Sequence, residues 1–292
     1  MTKTAWVFPG QGSQAVGMGV DLLELPAAKA KFDRAEQILG WSVPEICQKE
    51  EELSRTLYTQ PCLYVVESIL ADLMREKGQQ PDLVAGHSLG EYVALYAAGV
   101  FDFEGGLTLV KRRAELMDNA AGGMMAALIG FDRSQLEAKI QEIPDVVLAN
   151  DNSAAQVVIS GTPAAVEALL SQVKAKRAVK LNVSGAFHSP LMATPAAEFE
   201  KVLEAVDFAD AKVPVLSNVD PTPAVTGAVL KQRLSQQMTG SVRWQEISLA
   251  LPPEGIDRVV EIGPGKVLTG LIKRTCPDVA LQNVSSLAEL PN

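Results

Sequence analysis

The segment Leu83–Gly99, LVAGHSLGEYVALYAAG, decides the class of fold. Its opening, with Asp82 before it, is the short apolar run DLVAG, which reads as a strand. From about Glu91 the residues follow a helical pattern. Between strand and helix stands Gly86-His87-Ser88-Leu89-Gly90, a G-x-S-x-G pattern in a strand–turn–helix context. That context makes it a candidate nucleophile elbow. The serine would sit on a strained turn that projects its oxygen, and the glycines let neighbouring backbone pass without a side-chain clash. The following helix N-terminus favours developing negative charge. The same residues also fit a plain structural junction of strand and helix.

Outward from this turn the chain alternates strands and helices, which predicts a mostly parallel α/β sheet. TAWVFPG (Thr4–Gly10) is an apolar run into Pro-Gly, a buried strand entering a loop. Helical patterns occupy Ala28–Gly40 and Gln60–Gly78, the second with proline near its start and glycine after its end. Two more helical patterns surround Lys111–Ala121. From Met124 the texture changes. MMAALIGF, RSQLEAKIQEI, DVVLAND, QVVISG, PAAVEALLSQVKA and AVKLNV (Ala178–Val183) read as β-α-β-β-α-β, the split pattern of a ferredoxin-like unit. Beyond SGAFHSP the alternation resumes with PVLSNV, a helix near Leu230–Met238, DRVVEIG and PGKVLTGLIKR. The expected organisation is therefore a large domain over 1–123 and 187–292, interrupted by a small one at 124–186.

Composition narrows the function. A chain of 292 residues with 47% hydrophobic and 21% charged residues is ordinary for a soluble globular protein. A net charge of −9 and 5% aromatics argue against nucleic-acid binding, which needs a basic footprint and stacking surfaces. The N-terminus reaches a glycine-rich loop too early for a signal peptide, and no apolar run is long enough to span a bilayer. A cytoplasmic location is expected. Cys47, Cys62 and Cys276 are widely spaced and odd in number, so free thiols are expected rather than a disulfide framework or a metal site.

A serine hydroxyl needs a base, and the chain has two histidines. His87 is next to Ser88 in the turn, so its ring should point away from the reactive face. His188, in SGAFHSPLM, remains as the base. Its orienting partner is either a distant carboxylate or a backbone carbonyl. An oxyanion needs donors. Leu89 N–H supplies one, and the loop FPGQGSQ (Phe8–Gln14) is the candidate for the second. That loop is not a dinucleotide fingerprint, because Ala15 stands where G-x-G-x-x-G needs glycine. Nor is GPGK (Gly263–Lys266) a phosphate-binding P-loop, since Val267 replaces Ser/Thr.

Four motifs, VFPGQGSQ, GHSLGEY, GAFHSPLM and EIGPGKVLTGLIKR, resemble those of the bacterial malonyl-CoA:acyl-carrier-protein transacylases of fatty-acid synthesis. The resemblance runs from the first strand to about Arg274. It implies an α/β-hydrolase-like large domain with a parallel sheet and an inserted ferredoxin-like small domain. It also implies a ping-pong reaction: Ser88 takes malonyl from a coenzyme A thioester, with His188 as base, and passes it to the phosphopantetheine thiol of acyl carrier protein. Gln11 and Leu89 would supply the oxyanion N–H groups. Arg113, where the pattern R-G-x-x-M meets Arg113, Ala114 and Met117, would grip the malonyl carboxylate, with Ala114 departing from the usual glycine. Physically, a guanidinium holds a carboxylate through two parallel bonds, which favours malonyl over acetyl. Gln60, Asn150 and Asn152 match further site positions of the family, and the backbone carbonyl of Arg243 in SVRW would orient His188.

No bound cofactor or metal is implied, and a monomer is expected. An acidic carrier would need a basic patch on this acidic chain, with Lys174, Lys176, Arg177 and Lys180, or Lys273 and Arg274, as candidates. Rival readings are a transacylase of polyketide synthesis or malonate decarboxylation, a serine esterase or thioesterase, and a non-enzymatic docking relative.

Overall fold

Ala5, Trp6, Val7 and Phe8 are all buried because their strand lies in the middle of a parallel sheet with both faces covered. The computed structural model describes residues 2–291; Met1 and Asn292, the outer ends of the expected domain bounds, lie outside them. The large sheet contains β1 (Lys3–Phe8), β2 (Leu83–Gly86), β7 (Val215–Leu216), β8 (Ile256–Ile262) and β9 (Ala280–Val284). They run parallel in the order β7-β2-β1-β8-β9. Successive side chains of a strand face opposite ways, so Trp6 and Phe8 join one core with Leu63 and Val66 of the helix Thr56–Glu76. Ala5 and Val7 join a second core with Trp244 and Leu268 on the other face.

The inserted sheet is antiparallel, in the order β4 (Val146–Ser153), β5 (Gln156–Gly161), β3 (Met124–Phe131), β6 (Ala175–Lys180). With the helices Arg133–Glu142 and Pro163–Gln172 between its strands, this is the ferredoxin-like arrangement expected from the β-α-β-β-α-β pattern. Its own core contains Leu128, Leu136, Ile159, Val166 and Leu169. A parallel bridge between Asn150 and Val242 joins it to the large unit.

Several elements differ from the sequence-based expectation. The last strand of the small sheet ends at Lys180 rather than Val183; as a sheet edge it is largely exposed and shows no apolar alternation. The stretch around Lys111 is one helix, Phe103–Asp118, capped by the Asp102 side chain on Gly105 N–H. The Gln60–Gly78 helix begins a turn earlier, at Thr56, and carries Pro61 inside it. Its first-turn Leu57 N–H is satisfied by Asp118 of that other helix, a cap that local sequence does not reveal. β9 corresponds to no strand expected from the sequence. Among the described residues no helix is long and apolar enough to cross a membrane.

Candidate active site

The site lies where parallel strands end, the usual place for a ligand in such sheets. The register pairs Phe8 with Gly86, so the loop after β1 runs beside the turn after β2. On the other flank β2 pairs with β7, which places Ser217 and Asn218 next to the same turn. Glycine is required at these crossings. A Cβ on Gly90 would lie 2.0 Å from Phe8 O, one on Gly86 1.9 Å from Gly90 C, and one on Gly10 2.4 Å from His87 O. Ser88 itself has φ 52°, the left-handed conformation that a nucleophile elbow imposes. His188, at φ 55°, is held in the same unfavourable region.

Ser88 Oγ is 2.8 Å from His188 Nε2. The other ring nitrogen, Nδ1, faces the carbonyls of Gln237 at 2.9 Å and Gly240 at 3.2 Å. Carbonyls only accept, so Nδ1 carries the proton and Nε2 is free to accept from the serine hydroxyl. His188 is buried. That burial, with the Arg113 cation nearby, pulls its pKa down to about 3 and keeps the ring neutral.

The expected orienting carbonyl of Arg243 is not used. It accepts from Ile247 N–H at 3.0 Å in the first turn of the helix Trp244–Ala250, and the Arg243 side chain pairs with Glu246. Gln237 occupies the orienting position because the helix Gly227–Gln236 ends there and leaves that carbonyl free.

Arg113 is fully buried on the helix Phe103–Asp118. Its Nη1 donates to Gln60 Oε1 at 2.8 Å, and its Nη2 to Ser88 Oγ at 3.0 Å and Gln237 Oε1 at 3.1 Å. Nε has no partner, and among the described residues no carboxylate pairs with the guanidinium. A buried cation held by neutral groups is a ready receptor for an anion. Gln60 thus meets the site through Arg113, with its own amide nitrogen on Met117 Sδ at 3.3 Å.

Gln11 and Leu89 flank the serine, and among the described residues neither backbone N–H has a protein acceptor. The Gln11 side chain is tied to Thr56 Oγ1 at 3.0 Å. Asn150 lines the cavity with a buried Oδ1 that lacks a partner. Asn152 does not line it; its Oδ1 bonds His87 Nε2 at 2.8 Å. His87 turns away from Ser88, as expected, with its ring 5.5 Å from Trp244.

The cavity over Ser88 is small, about 90 Å³, and walled by Met117, Met125, Leu181, Val183 and Phe187. Larger hollows, such as one of about 390 Å³ between Arg75 and Lys212, lie away from the serine and bring together no comparable chemistry. Sequence reasoning missed Gln237, Asn218 and Glu91, which lie beneath the turn. Only Glu91 had a local signal, as the residue after G-x-S-x-G. Among the described residues no three His, Cys, Asp or Glu are grouped to hold a metal, and all three cysteines are free and buried.

Residues 5–291 match the acyl transferase domain family. A malonyl CoA-acyl carrier protein transacylase of Synechocystis sp. is 64% identical over 289 residues, covering 99% of each chain. The crystal structure of the Synechocystis malonyl-CoA:ACP transacylase superposes with a TM-score of 0.98, at 64% identity and 99% coverage of both chains. A malonyl-transacylase solved in complex with a type II PKS acyl-carrier protein superposes with a TM-score of 0.93, at 38% identity, covering 99% of this chain and 98% of its own.

Proposed function

We infer, from the premise that this chain belongs to the acyl transferase domain family, that it is a malonyl-CoA:acyl carrier protein transacylase working through a malonyl-serine. The observation that carries the mechanism is a convergence at one atom: Ser88 Oγ lies within hydrogen-bond distance of both His188 Nε2 and Arg113 Nη2. Nucleophile, neutral base and buried cation therefore share one small cavity.

In the first half-reaction Ser88 Oγ attacks the thioester carbonyl carbon while His188 Nε2 takes its proton. The carbonyl oxygen becomes an oxyanion and is received by the N–H groups of Gln11 and Leu89. When the C–S bond breaks, the coenzyme A sulfur leaves with the proton that His188 returns. The second half-reaction is the reverse with a new thiol: His188 accepts the proton of the carrier's phosphopantetheine, whose sulfur attacks the ester and restores Ser88. Coenzyme A is thus a thioester substrate rather than a resident cofactor. Arg113, held by Gln60 and Gln237, grips the distal carboxylate of malonyl. Asn150 faces the acyl chain or its thioester arm, and Asn152 acts indirectly, by holding His87. The narrow cavity favours a short acyl group.

The proposed organisation is a catalytic domain of 1–123 and 187–292 with 124–186 inserted. The site is complete within one chain, which supports a monomer, and three free thiols fit a reducing, cytoplasmic setting. The complex with a type II PKS carrier favours a second reading of the destination alone: the same chemistry could load a polyketide carrier.

Intact-mass analysis tests the reading. Incubation with malonyl-CoA should add one malonyl group, which holo acyl carrier protein then removes. Ser88→Ala should acquire none, and an adduct persisting in that variant would overturn the assignment of the nucleophile.

A further inference from the structure

Beneath the elbow lies a carboxylate that the mechanism above does not use. Glu91, in the first turn of the helix Gly90–Ala97, is 1% exposed. Its Oε2 accepts from Asn218 N–H at 3.2 Å and from Gln237 Nε2 at 2.7 Å. Its Oε1 is buried without a partner among the described residues. Burying a carboxylate is costly unless hydrogen bonds compensate it, and those bonds fix their donors in place.

The two groups it holds reach every reacting side chain. The Asn218 amide brackets the elbow: Oδ1 accepts from Ser88 N–H at 2.7 Å, and Nδ2 donates to Gly86 O at 2.6 Å. Gln237 Nε2 also donates to Ser88 O at 2.8 Å, and its Oε1 accepts from Arg113. The backbone carbonyl of Gln237 faces His188 Nδ1. Both backbone polar groups of Ser88 are therefore pinned by residues that Glu91 ties together. This matters because a non-glycine residue at φ 52° returns to an ordinary conformation unless its surroundings hold it.

We propose that Glu91 is a positioning residue, whose carboxylate holds Ser88, Arg113 and His188 in one frame through Asn218 and Gln237. The proposal rests on the reading of Ser88 as nucleophile. It assigns the effect to hydrogen-bond geometry rather than to charge, and two conservative variants separate these. Glu91→Gln keeps an oxygen at the Oε2 position and puts its nitrogen where Oε1 now lies unpartnered. Glu91→Asp keeps the charge but withdraws it by one methylene from Asn218 and Gln237.

Two readouts apply: steady-state malonyl transfer, and the rate at which a fluorophosphonate probe labels Ser88. Glu91→Asp should lower kcat about tenfold or more, since small misplacements of reacting groups are expensive. Its KM should stay within about twofold, and its labelling should slow in parallel with kcat. Glu91→Gln should remain within about threefold of the parent on both readouts. Asn218→Ala, which cuts one strut and leaves Glu91 in place, should also slow labelling without raising KM, so the frame can be tested even where Glu91→Asp does not fold. Parent-like labelling in Glu91→Asp or Asn218→Ala overturns the proposal. So does a loss in Glu91→Gln as large as in Glu91→Asp. A parent protein that forms no malonyl adduct yet is labelled at Ser88 by the probe speaks against the transacylase reading and leaves the frame testable by labelling.

Discussion

Arg113 rests on Ser88: its Nη2 donates to the serine Oγ at 3.0 Å, the same oxygen that faces His188 Nε2 at 2.8 Å. The guanidinium thus draws on a lone pair that the attack needs. A substrate carboxylate that engages Arg113 would satisfy the cation and free the serine, so binding of the correct acyl group and activation of the nucleophile become linked.

Arg113→Ala should therefore cut malonyl transfer far more than acetyl transfer. Each charge-assisted bond to the carboxylate contributes roughly 1.5–3 kcal/mol, so the malonyl:acetyl preference should fall by about tenfold or more. Comparing kcat/KM for the two thioesters measures it. Equal losses for both would remove the clamp role.

The acid limb of kcat/KM should lie well below the ordinary histidine range. The base is active when neutral, and burial with the Arg113 cation puts the His188 pKa near 3. Activity in the free-enzyme profile should stay level as pH falls from 8 through 6.5. Removing the cation in Arg113→Ala should move that limb upward. A limb at about 6.5 in the parent would contradict the buried, neutral state.

The same shift predicts a stability effect. His188 has a folded pKa below its unfolded one, so below pH 6.5 the unfolded chain binds the extra proton and stability drops as pH falls. Between pH 7 and pH 5 the parent should lose about 2 kcal/mol more than His188→Gln does. Denaturant unfolding at the two pH values reads the difference, and identical losses would show that His188 is not held neutral.

Gly10→Ala should damage catalysis without touching a reacting side chain. The new methyl would meet His87 O at 2.4 Å, backbone against backbone, and would push the Gln11 loop away from the elbow. Loss of one oxyanion donor typically costs about 10²–10³ in kcat. A normal kcat in a folded Gly10→Ala protein would exclude Gln11 N–H as a donor.

Much of this was legible because the elbow is a local object. Strand, glycines, serine and helix are consecutive, and the clash that requires Gly86 arises within the turn itself, against Gly90, although the one that requires Gly90 comes from Phe8 on β1. The small sheet was legible for the same reason: its β-α-β-β-α-β order carries clear periodicities, except at β6, an exposed edge that has none. Counting histidines, of which the chain contains two, was enough to single out His188 as the candidate base, and the structure places its Nε2 2.8 Å from Ser88 Oγ.

What holds His188 was not legible, and the Arg243 carbonyl was the wrong candidate. A backbone carbonyl has no side-chain signature, and whether it is free depends on where a helix begins or ends. Arg243 O is spent inside a first helical turn, while Gln237 O is left over after a last one. Asn152 was misplaced for another reason: the pairing of β4 with β5 shifts register between Asp151 and Ser153, so Asn152 does not follow Asn150 into the cavity and bonds His87 instead. The local chemistry of the chain determined the class of fold and singled out the candidate nucleophile and base. Their partners were decided by the order β7-β2-β1, which sets the loops bearing Asn218 and Gln11 on either side of Ser88. Sheet order is a property of packed strands that no single stretch of sequence contains.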